Sequence, residues 1–289
     1  MPIYRFNEYY CGDNYLDVQI YPEHLAHSKG KRRKGMYKPT RACQQALNDN
    51  NRDRHLCRLI NHNFTRQDFF ITLTYKDAYL PGDYESSQRD LKNYIRRLRR
   101  HAQKLELPAP KIVAVSGYGE RRKRLHHHLI VSGVFPAAVY KSLWEIRKKT
   151  NDKTDYELRG RIDVDPLEFT QFGVDNLVKY FMKHIDENKK RGLKCTYFRS
   201  RNLQEPVKSP RVKRLRAKQI VKIAQSMDFS AVEEIYKPYR LVRPEEYDDE
   251  EELRRMLYYN EEYGGYYFLL RFYKPPKRFI GQRKGVSGI

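Results

Sequence analysis

Three consecutive histidines, His126-His127-His128, and a tyrosine with a lysine one helical turn on, Tyr180 and Lys183, are the residues of this chain that could do chemistry together. The histidines lie in the apolar run Leu125 to Val131, which has the composition of a strand. Side chains of a strand alternate faces with a period of two. Leu125, His127, Leu129 and Val131 therefore point one way, and His126 and His128 point the other. Two imidazoles side by side on one face can each turn a ring nitrogen toward a shared cation. Divalent cations take more than two ligands and usually some oxygen. Glu120 is the nearest carboxylate in sequence, and Asp68 and Asp163, near strand ends, are its rivals. The competing interpretation is a polar surface strand in a chain of nine histidines.

Tyr180 belongs to a segment, Asp175 to Glu187, with strong helical periodicity. Val174, Leu177, Val178, Phe181 and Ile185 make an apolar stripe, and Asn176, Tyr180, Lys183 and Glu187 make a second stripe beside it. A phenol has a pKa near ~10 and is a poor nucleophile at neutral pH unless a cation stabilises its anion. Lys183 on the same face, with a bound cation, would provide that. The alternative is packing at a helix boundary, since the chain has 24 tyrosines.

The elements that must position these groups alternate in type. Gln44 to His62 has helical spacing, with Leu47, His55, Leu56, Leu59 and Ile60 on one side. Phe69 to Tyr75 alternates apolar and threonine side chains as a half-buried strand does. Ser87 is the expected cap of a helix whose Leu91, Tyr94, Ile95 and Leu98 form a stripe, with Arg96, Arg97, Arg99 and Arg100 beside it. A strand from Lys111 to Tyr118, a basic turn Arg121-Arg122-Lys123-Arg124 and the histidine strand follow. Ala137 to Lys149 reads as a helix, Arg161 to Val164 as a short strand, and 212–227 as a further helix. The C-terminal part carries an acidic cluster, Glu245 to Glu252, then an aromatic stretch, Tyr258 to Tyr273. Strands joined by short turns pair antiparallel, so the fold expected is α+β, a sheet with helices on one face.

Composition narrows the partners. Against 36 Asp+Glu stand 58 Lys+Arg, a formal net charge of +22, and such a field attracts polyanions, nucleic acid above all. The run Lys29-Gly-Lys31-Arg32-Arg33-Lys34 reads as a solvated arm that touches phosphates. No apolar run approaches the ~18 residues of a membrane span, and no secretion signal stands at the N-terminus. Cys11, Cys43, Cys57 and Cys195 lack metal-type spacing and read as reduced thiols, so a cytoplasmic setting is expected. A GxxxxGK[ST] phosphate loop is absent, which argues against a fused helicase, and the absence of HExxH disfavours a zinc hydrolase.

The order of these motifs resembles the HUH endonuclease superfamily, and within it the rolling-circle replication initiators of filamentous and small single-stranded DNA phages. The resemblance spans roughly residues 40–206: "FFITLTY", "VAVSGYG" with its basic turn, "LHHHLIV", "LVKYFMK", and Ser200-Arg-Asn-Leu203 with Pro206. It implies a ferredoxin-like antiparallel palm over residues 41–210, after a basic N-terminal arm (1–40) and before a C-terminal helical and acidic-aromatic extension (211–289). His126 and His128 are then the metal ligands, with Glu120 standing in as the third. Tyr180 is the nucleophile, and Lys183 assists it or binds the scissile phosphate. The cofactor implied is Mg or Mn, and a histidine pair favours Mn. The reaction implied is nicking of single-stranded origin DNA through a 5′-phosphotyrosine, leaving a 3′-hydroxyl for a host polymerase, with a host helicase as a further partner, and later religation. Arg96, Arg97, Arg99, Arg100, Arg121, Arg122, Lys123, Arg124, Lys31, Arg32 and Arg33 are the expected DNA contacts. A relaxase or transposase of the same superfamily, and a non-catalytic basic nucleic-acid-binding protein, are the alternatives. This chain departs from the family pattern twice. Gly117 stands where relatives often carry Glu, and Asn176 stands where some carry a second tyrosine, which implies a one-tyrosine cycle.

Overall fold

The computed structural model describes residues 2–23, 41–119, 124–150, 153–193, 197–209, 214–247, 250–260 and 264–275. The chain forms two compact units, one of residues 31–207 and one that joins 1–30 with 208–289. In chain order, β1 (Ile3–Cys11) and β2 (Tyr15–Glu23) open the terminal unit. The central unit holds α1 (Arg41–Asn63), β3 (Phe69–Leu73), α2 (Tyr84–Lys104), β4 (Ile112–Tyr118), β5 (Leu125–Val131), α3 (Ala137–Ser142), β6 (Glu145–Thr150), β7 (Lys153–Leu158), β8 (Ile162–Pro166), α4 (Asp175–Lys190) and β9 (Phe198–Arg199). Then come β10 (Val207–Lys208), α5 (Ala217–Ser226), α6 (Ser230–Ile235), β11 (Arg240–Leu241), α7 (Glu250–Met256), β12 (Leu257–Asn260) and β13 (Gly265–Tyr273).

The central unit is an α+β fold built on a five-stranded sheet, ordered β8-β3-β5-β4-β9, in which the paired strands run antiparallel. This agrees with the ferredoxin-like palm. The histidine strand β5 lies in the middle, with Thr72 of β3 and Val115 of β4 directly opposite His128. Central strands of a covered sheet are apolar on both faces, and β5 is buried from His127 to Val131. Helices cover both faces of this sheet rather than the single face expected. Trp144 meets His127 at 5.9 Å and Tyr94 of α2 at 5.6 Å between ring centroids, so α2 lies on the His127 side. α4 lies on the other side, where its Tyr180 ring meets His128.

Three local expectations are corrected. The cap of α2 is Asp83, whose carboxylate accepts the Ser86 N–H at 2.6 Å; Ser87 is buried inside the first turn and donates to the Tyr84 carbonyl. The helix expected from Ala137 to Lys149 stops at Ser142. Trp144 then turns into the core and donates its indole N–H to the Thr74 carbonyl at 2.8 Å, and residues 145–150 become a strand paired with β7. Lys, Arg and Glu favour helix only weakly, and cross-strand pairing overrides that preference. The helix expected over 212–227 runs from Ala217 to Ser226.

In the terminal unit, β1 and β2 form a hairpin that adds β13 beside β2, giving a sheet ordered β10-β1-β2-β13-β11 with β12 on β13. The residues expected as a separate N-terminal arm and C-terminal extension therefore share one sheet as far as Glu23. Tyr4, Phe6, Leu16, Val18, Ile20, Phe268, Leu270 and Phe272 bury one face of it against Ile220 and Ile223 of α5 and Val232 of α6. The basic run at 29–34, with Lys31, Arg32 and Arg33, lies outside the described residues, as do Glu120, Arg121, Arg122 and Lys123. No helix among the described residues is long and apolar enough to cross a membrane.

Candidate active site

His127 occupies the core side of β5 as the alternation requires, fully buried. A buried imidazole needs partners for both nitrogens. Its Nε2 meets the Tyr75 hydroxyl at 2.8 Å, and its Nδ1 meets the Ser116 hydroxyl at 2.6 Å. Burial pushes its pKa down to about 3, so the ring is neutral and one of these contacts donates while the other accepts. With both nitrogens engaged on that side, His127 fixes the strand that sets its neighbours on the opposite face.

His126 and His128 emerge together on that opposite face, their ring centroids 4.7 Å apart. His126 Nδ1 lies 3.1 Å from the Arg124 carbonyl. An N–H donated there leaves Nε2 with its lone pair. His128 Nδ1 meets the Thr72 hydroxyl at 3.1 Å, and its Nε2 meets the Tyr180 hydroxyl at 2.8 Å. Burial, reinforced by the neighbouring imidazoles, pushes the His128 pKa down to about 2, and burial lowers that of His126. Neutral imidazoles are the form that binds a metal.

Two pins hold α4 over this face. At its start, Asn61 of α1 accepts the Val174 N–H at 3.1 Å. Gly173, at φ +69°, passes so close to Asn61 that a Cβ would lie 2.3 Å from its amide nitrogen. At its far end Asn188, buried, donates to the Ser116 carbonyl of β4 at 2.8 Å. Between the pins stand Tyr180, 39% exposed, and Lys183, exposed one turn along.

The same helix delivers a residue the sequence reading passed over. His184, buried, lies with its ring 5.1 Å from His126, 5.2 Å from His128 and 4.7 Å from Tyr180. His126, His128 and His184 each offer a ring nitrogen, and these nitrogens lie within 4.8 Å of one another, a donor set that fits a metal ion. The available signal was helical spacing, because His184 follows Tyr180 by four residues and shares its face. Room for the third ring comes from Gly117 of β4, where an added Cβ would lie 2.3 Å from His184 Nδ1.

Other candidates fall elsewhere. Asp68 accepts the Thr65 N–H at 2.6 Å and the Gly133 N–H at 2.7 Å, so its carboxylate serves turns at the far end of β3. Asp163 pairs with Thr72 across β8 and β3, and its carboxylate accepts from Arg161 at 2.9 Å. Arg97 donates to the Leu143 carbonyl at 3.0 Å and also to that of Glu145, which ties α2 to the start of β6. Arg99 lies over the Phe198 ring, and Arg124 donates to the Tyr75 carbonyl and pairs with Asp77. Arg96 and Arg100 are exposed on α2, across the sheet from the three imidazoles.

Residues 68–191, from the end of the turn before β3 to the close of α4, match the family model described as Replication-associated protein ORF2/G2P. The matched segment, less than half of the chain, is thus similar to a family of replication-associated proteins. It takes in all three imidazoles, Tyr180 and Lys183. No curated protein and no solved structure matches the chain.

Proposed function

We propose that this protein is a metal-dependent, one-tyrosine initiator of the HUH type that nicks and rejoins single-stranded origin DNA, in the manner of the phage rolling-circle initiators. The observation that carries the proposal is the Tyr180 hydroxyl, 2.8 Å from His128 Nε2 and beside a cluster of three imidazoles, two of them buried, inside the family-matched segment.

A divalent cation held by His126, His128 and His184 would act as a Lewis acid toward charge developing on a non-bridging phosphate oxygen. An all-imidazole set suits Mn and other transition ions better than Mg. His128 Nε2 has one lone pair, so accepting from Tyr180 and ligating a cation at that atom exclude each other. A cation on His128 Nε2 would therefore free the phenol from that imidazole, and the phenolic proton leaves to water on the exposed side of the ring. The Tyr180 oxygen attacks phosphorus as the bond to the 3′-oxygen breaks, giving a 5′-phosphotyrosine, and the leaving 3′-oxygen takes a proton from water to become a 3′-hydroxyl. The Lys183 ammonium on the same helix face lowers the energy of the added negative charge. Asn176 occupies the preceding turn, so religation reverses the same step. The 3′-hydroxyl primes a host polymerase while a host helicase opens the duplex, in the cytoplasm of the host cell. The basic segments at 29–34 and 121–123 supply phosphate contacts, and Arg96 and Arg100, across the sheet from Tyr180, take phosphates of DNA beyond the cleaved site.

The test is a labelled single-stranded origin oligonucleotide incubated with protein and Mn. Wild type forms a covalent adduct that EDTA abolishes. Tyr180→Phe forms none yet binds the oligonucleotide within about twofold of wild type, and mass spectrometry of the DNA-linked peptide names Tyr180. An adduct on another tyrosine, or one formed in EDTA, overturns the proposal.

A further inference from the structure

The terminal unit carries a second surface of distinct chemistry, on the sheet face turned away from α5 and α6. Because strand residues alternate, the odd-numbered positions of β1, β2 and β13 face away from the buried set that ends in Phe268, Leu270 and Phe272. A soluble sheet usually makes such a face short, polar and charged. Here it carries tyrosines. Tyr258 of β12 stacks on Tyr267 of β13, with centroids 5.0 Å apart and planes 11° apart, and Tyr267 stacks in turn on Tyr21 of β2 at 6.4 Å and 21°. The row runs across three strands, and Tyr258, at its open end, is 39% exposed. Asn7 of β1 donates to the Tyr21 hydroxyl at 3.0 Å, and Arg5 pairs with Tyr21 in register.

Farther along the same face are Tyr9, Tyr15 and Tyr273, all half-exposed. The Lys208 ammonium lies 5.3 Å from the centre of the Tyr9 ring, and the Arg240 guanidinium 5.8 Å from that of Tyr273. Arg271 also faces this way, opposite Asp17.

Cross-strand tyrosine pairs stabilise any sheet modestly, but packing alone does not call for cations set among the rings. Aromatic faces offered to bases, with Arg and Lys among them for phosphates, are how antiparallel sheets take up single strands without reading sequence. We propose that this face is a second binding site, for single-stranded DNA, with a base stacked on the open face of Tyr258, which Tyr267 and Tyr21 support from behind, and the backbone held by Arg5 and Lys208. The choice of DNA over RNA rests on the proposed function above, toward which the replication-associated family match points. The site needs neither the metal cluster nor Tyr180, so it stands apart from the nicking proposal.

Photocrosslinking of the full chain tests it, using oligo(dT) that carries 5-iododeoxyuridine, with EDTA present so that no nicking is required. Crosslinks are expected at Tyr258, Tyr267 or Tyr21. Crosslinks confined to residues 41–207 overturn the proposal. Tyr258→Leu and Tyr267→Leu keep an apolar side chain on each strand, and each is expected to weaken oligo(dT) binding about tenfold, while Tyr258→Phe retains it. Thermal melts check that the Leu variants stay folded, and full affinity in the folded Leu variants also overturns the site. Tighter binding of oligo(U) than of oligo(dT) overturns the assignment to DNA. Adduct formation on a short origin oligonucleotide, measured in parallel, reports on Tyr180 alone.

Discussion

Substituting one methyl group at Gly117 tests whether the third imidazole belongs to the metal site. A Cβ at 117 would lie 2.3 Å from His184 Nδ1, 2.8 Å from Cγ and 3.1 Å from Cε1. Ordinary contact between such atoms is about 3.5 Å, so Gly117→Ala must drive the ring back by roughly 1.2 Å. Metal–ligand distances tolerate only ~0.2 Å. The displaced nitrogen therefore no longer shares a point with those of His126 and His128. The expected result is a rise in the Mn dissociation constant of about 10- to 100-fold, a range typical for loss of support around a metal site. Overpacking should also destabilise the protein by about 1–3 kcal/mol. Isothermal titration with Mn and thermal melts with and without the metal measure the two effects separately. Adding His184→Ala to Gly117→Ala removes the clash, so stability should return while metal affinity does not. Gly117→Glu combined with His184→Ala puts a carboxylate where the ring stood and should recover part of the affinity. The reasoning is refuted if His184→Ala alone binds Mn as wild type does, or if Gly117→Ala leaves affinity unchanged within twofold.

Further outcomes follow from the same contacts. Tyr180→Phe removes the hydroxyl that shares the His128 Nε2 lone pair, so titration should find Mn bound at least as tightly as by wild type; a tenfold loss would mean that the phenol is itself a ligand. Arg97→Ala should cost about 1–3 kcal/mol in thermal or urea unfolding, because two carbonyls lose their donor, whereas Arg96→Ala and Arg100→Ala should leave unfolding unchanged and each lower the salt slope of DNA binding by roughly one. Glu8 is buried in the terminal unit; burial raises its carboxyl pKa, but hydrogen bonds from Arg214 and the Tyr236 hydroxyl outweigh that and hold it below the ordinary value. Its folded pKa thus lies under its unfolded one, and the stabilisation, complete above about pH 4.5, is lost as pH falls through the folded value. Melts from pH 7 to pH 3 should therefore show a flatter profile for Glu8→Gln than for wild type.

What the sequence determined by itself is local. A period of two put His126 and His128 on one face of β5 and His127 on the other, and a period of 3.6 put Tyr180 and Lys183 on one face of α4. Those assignments need only the backbone geometry of a single element, and the antiparallel pairing of β4 with β5 followed from the few residues between them. Where each face points was decided by contacts between residues far apart in the chain. Asn61 to Val174 and Asn188 to Ser116 dock α4 on the histidine side, and that docking brings His184 into the cluster and turns Gly117 from a missing ligand into the space for one. Trp144, by bonding Thr74, ended a helix that its own residues would have continued. The second partner of β2, after its hairpin mate β1, is β13, some 250 residues later, and no local pattern in Tyr15 to Glu23 names it. Periodicity fixes the face a side chain takes, but which faces meet depends on how the whole core packs.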